Sequence, residues 1–163
     1  MVTGLLSVAL AVAALCLALR LYMGRAAEDA LRPGERVALS DLRDPIPGNA
    51  FLACPPGYCA ATAAESPVFA LPVDRLAKDW AQVIASERGV VQVEDQPAAQ
   101  RIVFIQHTPL LRFPDIVTVE FVALAPDRSS VAIYSRARYG RGDFGTNRRR
   151  VLRWLDRVAR IAG

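Results

Sequence analysis

The stretch DIVTVEFVALAPDRSSVAIYSRAR, residues 115–138, decides the fold. Apolar and polar residues alternate over 115–124 and again over 130–138, and this period of two is typical of β-strands that bury one face. Pro126-Asp127-Arg128 lies between the two runs and has the composition of a turn. The stretch therefore predicts a β-hairpin.

The register of this hairpin follows from the positions of its apolar residues. They are odd-numbered in both strands, so a buried face requires odd residues to pair with odd residues, for example Val119 with Ser135. The same register brings four even-numbered residues together on the opposite face: Thr118, Glu120, Tyr134 and Arg136.

Further elements are predicted on both sides of the hairpin. Two short strand-like runs cover 90–94 and 101–107. A helix begins at Asp74 and ends before Gly89, and a second amphipathic helix covers 143–161. The order helix, four strands, helix predicts an α+β fold, in which an antiparallel four-stranded sheet has two helices packed on it.

The N-terminal 24 residues have the composition of a membrane segment. From Gly4 to Met23 the chain is apolar apart from Ser7 and Arg20, and its 20 residues match the length of a membrane-spanning helix. A cleaved signal peptide is the alternative, although no basic residue precedes the apolar run and Arg25 disrupts the best cleavage frame. We expect residues 1–24 to be a single-pass anchor in the cell inner membrane.

The chain after the anchor divides into two parts. Residues 25–48 show no sustained period and are interrupted by prolines, which predicts a linker. Residues 49–163 are then a single α+β domain, because about 110 residues suffice for one hydrophobic core.

The sequence contains opposing signals about the side of the membrane on which the domain lies. All basic residues near the span follow it, which favours a cytoplasmic domain. Cys54 and Cys59 flank a Pro-Pro-Gly turn that could bring them to disulfide distance, and a disulfide implies an oxidising compartment. Two reduced cysteines in a turn are the alternative. We expect an extracytoplasmic domain, and we expect no metal site, because one histidine and two nearby cysteines cannot complete a zinc site.

Several short motifs resemble one known family. The chain carries Asn49-x-x-x-x-Cys54-Pro55, Ser66-Pro67-Val68-Phe69, Phe113-Pro114-Asp115 and the block Tyr139-Gly140-x-x-Asp143-x-Gly145-x-Asn147-Arg148. With the Trp80 helix, these motifs resemble the domain-of-unknown-function 1499 family over about residues 49–161. The resemblance implies a shared fold and an N-terminal hydrophobic segment of the kind found in bacterial and plastid members. It implies no activity.

The turn over 139–145 is the most informative candidate site. It contains G-x-G-x-x-G between a strand and a helix, but no parallel strand follows, so a dinucleotide site is excluded. Its glycines and the helix N-terminus, with Arg136, Arg141 and Arg148 nearby, could bind a phosphate, a sulfate or a lipid headgroup. A structural turn capped by Asp143 is the alternative.

Two polar residues of the last helix are predicted to face the sheet. Asn147 and Arg148 fall inside the apolar arc that we centre near Leu155. Inward polar groups need hydrogen-bond partners, and the nearest expected ones are Asp115, Asp143 and the backbone around Ser135. They form either a structural network or the wall of a ligand pocket.

Basic charge is concentrated at the C-terminus, where nine arginines and two aspartates follow Ser135. This asymmetry suggests an acidic protein partner or an anionic lipid on the arginine-rich helix, with a solvated helix face as the alternative. No aromatic side chains alternate with the arginines as a stacking platform, and we expect no nucleic-acid partner.

Catalysis has little support in the sequence. His107 is the only histidine and would need Asp115 or Glu120 as an orienting acid, while Asp115 and Asp143 could form a carboxylate pair. We expect a non-enzymatic binding or accessory module without a cofactor; a structural assembly subunit and a hydrolase are the alternatives. The candidate ligand site comprises Arg136, Tyr139, Gly140, Asp143, Asn147, Arg148 and Asp115.

Overall fold

The architecture is that of three α-helices and a six-stranded mixed sheet, seen in a computed structural model that describes residues 2–26, 30–43 and 45–163. The helices are α1 (Val2–Ala26), α2 (Val73–Ala85) and α3 (Thr146–Ala162). The strands are β1 (Ala50–Cys54), β2 (Ala64–Glu65), β3 (Val90–Gln96), β4 (Arg101–His107), β5 (Pro114–Ala125) and β6 (Arg128–Ala137).

The sheet is larger than the sequence predicts. Its strand order is β2-β1-β6-β5-β4-β3, with β1 and β2 parallel and all other neighbours antiparallel. The predicted α+β class is confirmed, but the prediction of four antiparallel strands is wrong because β1 and β2 extend the sheet beyond β6. Four of the five residues of β1 are buried, on both faces of the sheet, so this strand lacks the alternation that reveals an exposed face.

The central hairpin pairs odd residues with odd residues, as predicted. Val117 lies opposite Ser135 and Val119 lies opposite Ile133. The specific pairing of Val119 with Ser135 is therefore wrong by two residues. A register irregularity between Ala123 and the end of β5 accompanies the tight turn.

The helices α2 and α3 cover the face that carries the odd-numbered apolar residues. Trp80 and Trp154 are fully buried there and meet edge to face, with ring centroids 6.1 Å apart. Phe121 from the sheet packs against Trp80 in the same edge-to-face geometry. This aromatic cluster fixes α3 across the sheet, and the N-terminus of α3 consequently lies at the end of β6.

The opposite face of the sheet is covered by the segment that precedes β1. Leu39 is fully buried against it, and its amide donates to Glu120, which also accepts from the Tyr58 hydroxyl. Glu35 forms a bidentate ion pair with Arg138 over distances of 2.7 and 2.8 Å. The second half of the predicted linker over 25–48 is thus packed on the domain. Residues 27–29 and 44 of that linker lie outside the described residues.

The two cysteines near the end of β1 are joined. Cys54 and Cys59 form a disulfide, with their Cα atoms 6.1 Å apart. The loop that it closes carries Tyr58, so the disulfide positions the hydroxyl that binds Glu120. Burial and this carboxylate raise the pKa of Tyr58 to about 12.

The first helix is apolar and exposed over most of its length. By length and composition, Gly4–Met23 is able to cross a membrane, and of these residues only Met23, at the end of the window, is buried. Arg20, near the end of the window, donates to the carbonyl oxygens of Pro109 and Leu110 at 2.7 and 2.6 Å. Of the predicted anchor over 1–24, Met1 lies outside the described residues.

Candidate functional site

A cavity of about 370 Å³ opens at the corner where β6 passes into α3. Its size lies within the range of small-molecule sites, and most of its surface is apolar. Loops 108–113 and 138–145 form its two sides. The lining residues are Thr108, Phe113, Asp115, Ala137, Tyr139, Gly140, Gly142, Asp143, Phe144 and Thr146.

Four of the predicted site residues line this cavity, namely Asp115, Tyr139, Gly140 and Asp143. Tyr139 is held from outside by Arg32, whose guanidinium donates to the phenol oxygen and lies 5.2 Å from the ring centroid. Gly140 has a φ of 85°, which an L-residue adopts only with strain.

Asn147 is fully buried in a polar network rather than in the cavity wall. Its Oδ1 accepts from the Ser135 hydroxyl at 2.6 Å, and its Nδ2 donates to the carbonyl oxygen of Asn49 at 3.0 Å. Arg150 donates to Asn147, to Ser135 and to Asp115. The network joins α3 to three strands or strand ends, which agrees with the structural alternative that the sequence left open.

The prediction that Arg148 faces the sheet is wrong. Arg148 is exposed, with its guanidinium 6.0 Å from the Phe51 ring centroid, whereas Arg150 is buried. The arc centred near Leu155 omitted Trp154, which is fully buried. Since Trp154 is four residues after Arg150, its inclusion rotates the buried arc toward Arg150 and away from Arg148.

Arg136 also lies outside the candidate site. Neighbouring residues of a strand point to opposite faces, so Arg136 lies on the face opposite Ser135 and the helices. There it contacts the packed segment through a hydrogen bond to the carbonyl oxygen of Glu35 at 3.5 Å. The sequence placed Arg136 on the face shared with Thr118 and Tyr134, which is correct, and its inclusion in the corner site contradicted that placement.

The N-terminus of α3 already holds a carboxylate. Asp143 Oδ1 accepts from the Gly145 amide at 2.9 Å, and Oδ2 accepts from the Asn147 amide at 2.7 Å. Asp143 thus occupies the position that a bound anion would take at this helix end. Gly145 itself has a φ of 74° and begins the helix without a side-chain cap of its own.

Burial shapes the electrostatics at the floor of the cavity. Asp115 is 3% exposed, and burial raises the pKa of its carboxyl above the ordinary value of 3.8. The Arg150 charge and hydrogen bond oppose this rise, while the charge of Asp143 adds to it. Both carboxylates have structural partners, Arg150 for Asp115 and backbone amides for Asp143, so the cavity floor presents little uncompensated charge.

His107, the candidate general base, is buried at the end of β4 beside Asp115. Its amide donates to the carbonyl oxygen of Gly89 at 2.8 Å. Oδ2 of Asp115, the candidate orienting acid, accepts from Arg150. Ser135, which is close to this corner, is engaged by Asn147 and Arg150.

Asn49 organises the corner but was not among the predicted site residues. Asn49 donates to the carbonyl oxygens of Gly140 and Ala137, while its own carbonyl oxygen accepts from Asn147 and from the Ala137 amide. It therefore fixes the strand-to-helix loop against the start of β1. Asn49 stood first in the family motif, which was the available signal, but no periodic pattern around it indicated a role.

Three arginines on the basic face of α3 form ion pairs within the chain. Arg153 and Arg157 each bind Glu87 at 2.6 Å, and Arg160 pairs with Asp156 one turn away. These pairs lower the number of positive charges that the helix offers to an acidic partner.

Comparison with known proteins identifies a family but no activity. A family model described as "Protein of unknown function (DUF1499)" matches residues 53–158, which is more than half of the chain. No curated protein matches. A solution NMR structure of a Thermobifida fusca protein, from the Northeast Structural Genomics Consortium, shares 12% sequence identity, with a TM-score of 0.43 over 70% of this chain and 87% of that chain. The chain therefore belongs to the DUF1499 family of proteins of unknown function.

Proposed function

We propose that the protein is a membrane-anchored, non-enzymatic binding module whose corner cavity holds an anionic amphiphile, such as a lipid or a lipid-like metabolite. The observation that carries this proposal is the cavity of about 370 Å³, whose surface is mostly apolar and which lies beside arginine-bearing loops. An apolar chain would pack against Phe113.

The anionic part of the ligand is assigned to the rim rather than to the helix end. Asp143 occupies the amides of α3, so a phosphate or sulfate there would have to displace a carboxylate. Arg112 and the exposed Arg141 belong to the two loops that border the cavity. Guanidinium groups suit phosphate and carboxylate recognition.

The anchor and the compartment form part of the same proposal. The exposed apolar helix α1 supports a single-pass anchor in the inner membrane. The Cys54–Cys59 disulfide supports an extracytoplasmic domain, because structural disulfides persist in oxidising compartments.

The alternative function is that of a structural assembly subunit, which would use the arginine-rich face of α3 instead of the cavity. It would recruit an acidic partner through the arginine-rich face of α3, but Arg153 and Arg157 already share Glu87. The paired state of this face is why we place ligand binding first.

Native mass spectrometry of the full-length protein, extracted gently from its own membrane, tests the proposal. Gly142 lines the cavity, has no positive φ and has open space beyond its Cα, so Gly142→Phe places a bulky side chain at the cavity without backbone strain. We expect an added mass of lipid or metabolite size on the wild type and on Gly142→Ala, and its loss in Gly142→Phe. A wild type that carries no added mass, or that carries a second polypeptide instead, would overturn the proposal.

A further inference from the structure

The connection between α1 and the domain is short. The helix ends at Ala26, and the carbonyl oxygen of Ala30 accepts from Arg138 Nη2 at 2.8 Å. Four residue steps span at most about 14 Å when fully extended. The edge of the domain at Arg138 is therefore held close to the end of the apolar helix, and not carried away on a tether.

One cavity loop touches α1 directly. Arg20 of α1 donates to the carbonyl oxygens of Pro109 and Leu110, which belong to the loop over 108–113. Arginine near the end of a membrane-spanning helix places its guanidinium at the level of the lipid headgroups. The loop that contacts this guanidinium must lie at the same level.

Two large apolar side chains extend from the loops on either side of the cavity. Leu110 is 76% exposed in the first loop, and Phe144 is 98% exposed in the second. Phe144 also has a φ of 53°, a backbone conformation that costs free energy in a bulky residue. Exposure of these two apolar side chains to water is unfavourable, whereas their burial at a bilayer interface would be stabilising.

We propose that Leu110 and Phe144 insert into the lipid interface beside α1, so that the cavity opens onto the bilayer surface. This inference rests on the anchoring role proposed for α1 and deepens it by naming the bilayer as the source of the ligand. Arg112 and Arg141, in the same two loops, would then lie among anionic headgroups.

Quenching by brominated lipids tests the contact in the full-length protein. The variants Phe144→Trp and Leu124→Trp are reconstituted in nanodiscs of phosphatidylcholine and phosphatidylglycerol, with and without bromine on the acyl chains. The native Trp80 and Trp154 are fully buried and provide an unquenched background. Leu124 is 44% exposed near the far end of β5 and is the matched control.

We expect the brominated acyl chains to remove most of the added fluorescence of Phe144→Trp and none of that of Leu124→Trp. Equal fluorescence of Phe144→Trp in both kinds of nanodisc, with the protein still bound to the disc, would overturn the insertion and leave the anchor intact. Protein that separates from the nanodiscs would overturn both the insertion of Phe144 and the anchoring role of α1. Quenching of Phe144→Trp together with a ligand-free native mass spectrum would support the insertion while rejecting the cavity ligand.

Discussion

Arg150 donates from Nη2 to Oδ2 of Asp115, so that a buried ion pair joins the first turns of α3 to the start of β5 at the floor of the cavity. Both side chains are 5% exposed. The same guanidinium binds Ser135 and Asn147. The shape of the corner therefore depends on a charge pair that the surrounding protein has removed from water.

Removal of Arg150 should destabilise the protein strongly. Arg150→Met leaves the Asp115 carboxylate buried without its partner, and we expect a loss of about 3–5 kcal/mol in the free energy of unfolding. Urea unfolding followed by tryptophan fluorescence measures this loss. Arg153→Met is the control, because Arg153 is 52% exposed and its pair should contribute at most about 1 kcal/mol. Equal losses in the two variants would contradict the structural role of Arg150.

The loss of unfolding free energy caused by Arg150→Met should depend on pH. Burial raises the pKa of Asp115 above 3.8, and removal of Arg150 takes away an opposing effect. A group with a raised pKa in the folded state contributes stability that is present at low pH and lost as pH rises through that pKa. We therefore expect the deficit to be larger at neutral pH than near pH 4, and a deficit that grows on acidification would refute this account.

Glu35 should give the opposite pH dependence. Burial acts to raise its pKa, but the hydrogen bonds and charge of Arg138, with the Arg32 amide, lower the pKa below the ordinary value of 4.5. A lowered pKa contributes stability that is present above the ordinary value and is lost as pH falls below it. Glu35→Gln should therefore reduce the unfolding midpoint at neutral pH and flatten its decline under acid. An unchanged acid profile would show that the segment over 30–43 is not held by this pair.

Asp143 should act as a helix cap. Asp143→Ala removes the acceptor for the Gly145 and Asn147 amides, and we expect a loss of about 1 kcal/mol. Asp143→Asn, which retains an acceptor oxygen, should lose less. Thermal unfolding of both variants checks the order, and an Asp143→Ala variant as stable as the wild type would mean that water replaces the cap.

The disulfide should be formed in cells. Cys16 is the only free cysteine among the described residues, so a thiol reagent added to denatured, unreduced protein should label one site, and after reduction three sites. Replacing both cysteines, Cys54→Ser with Cys59→Ser, removes the short loop that the disulfide closes. This change should lower the free energy of unfolding by about 2 kcal/mol. Three labelled thiols without reduction would place the domain in a reducing compartment.

The sequence predicted the elements whose periodicity reflects a single buried face. The hairpin over 115–138 and the two flanking helices are in place because one side of each is apolar. β1 and the segment around Leu39 were not recognised, since β1 is buried on both sides and the segment packs through a few isolated residues. Neither arrangement produces a period.

The prediction of the corner site failed at Arg148 because of one side chain, Trp154. The position of the loop over 139–145 and the cap by Asp143 followed from local chemistry. The exchange between Arg148 and Arg150 arose because Trp154, which is fully buried against Trp80, was left out of the apolar face of α3. The cavity likewise arises between two loops that are distant in sequence.

Photo-crosslinking in the native membrane tests the central claim, that the corner cavity holds an amphiphile, most directly. A benzophenone amino acid is introduced at Phe113, which lines the cavity, or at Val68, which is 42% exposed and lies outside the cavity lining. The account predicts that irradiation of intact cells attaches a discrete lipid or lipid-like metabolite at Phe113 and not at Val68. Attachment only of protein, or the same products at both positions, would contradict it.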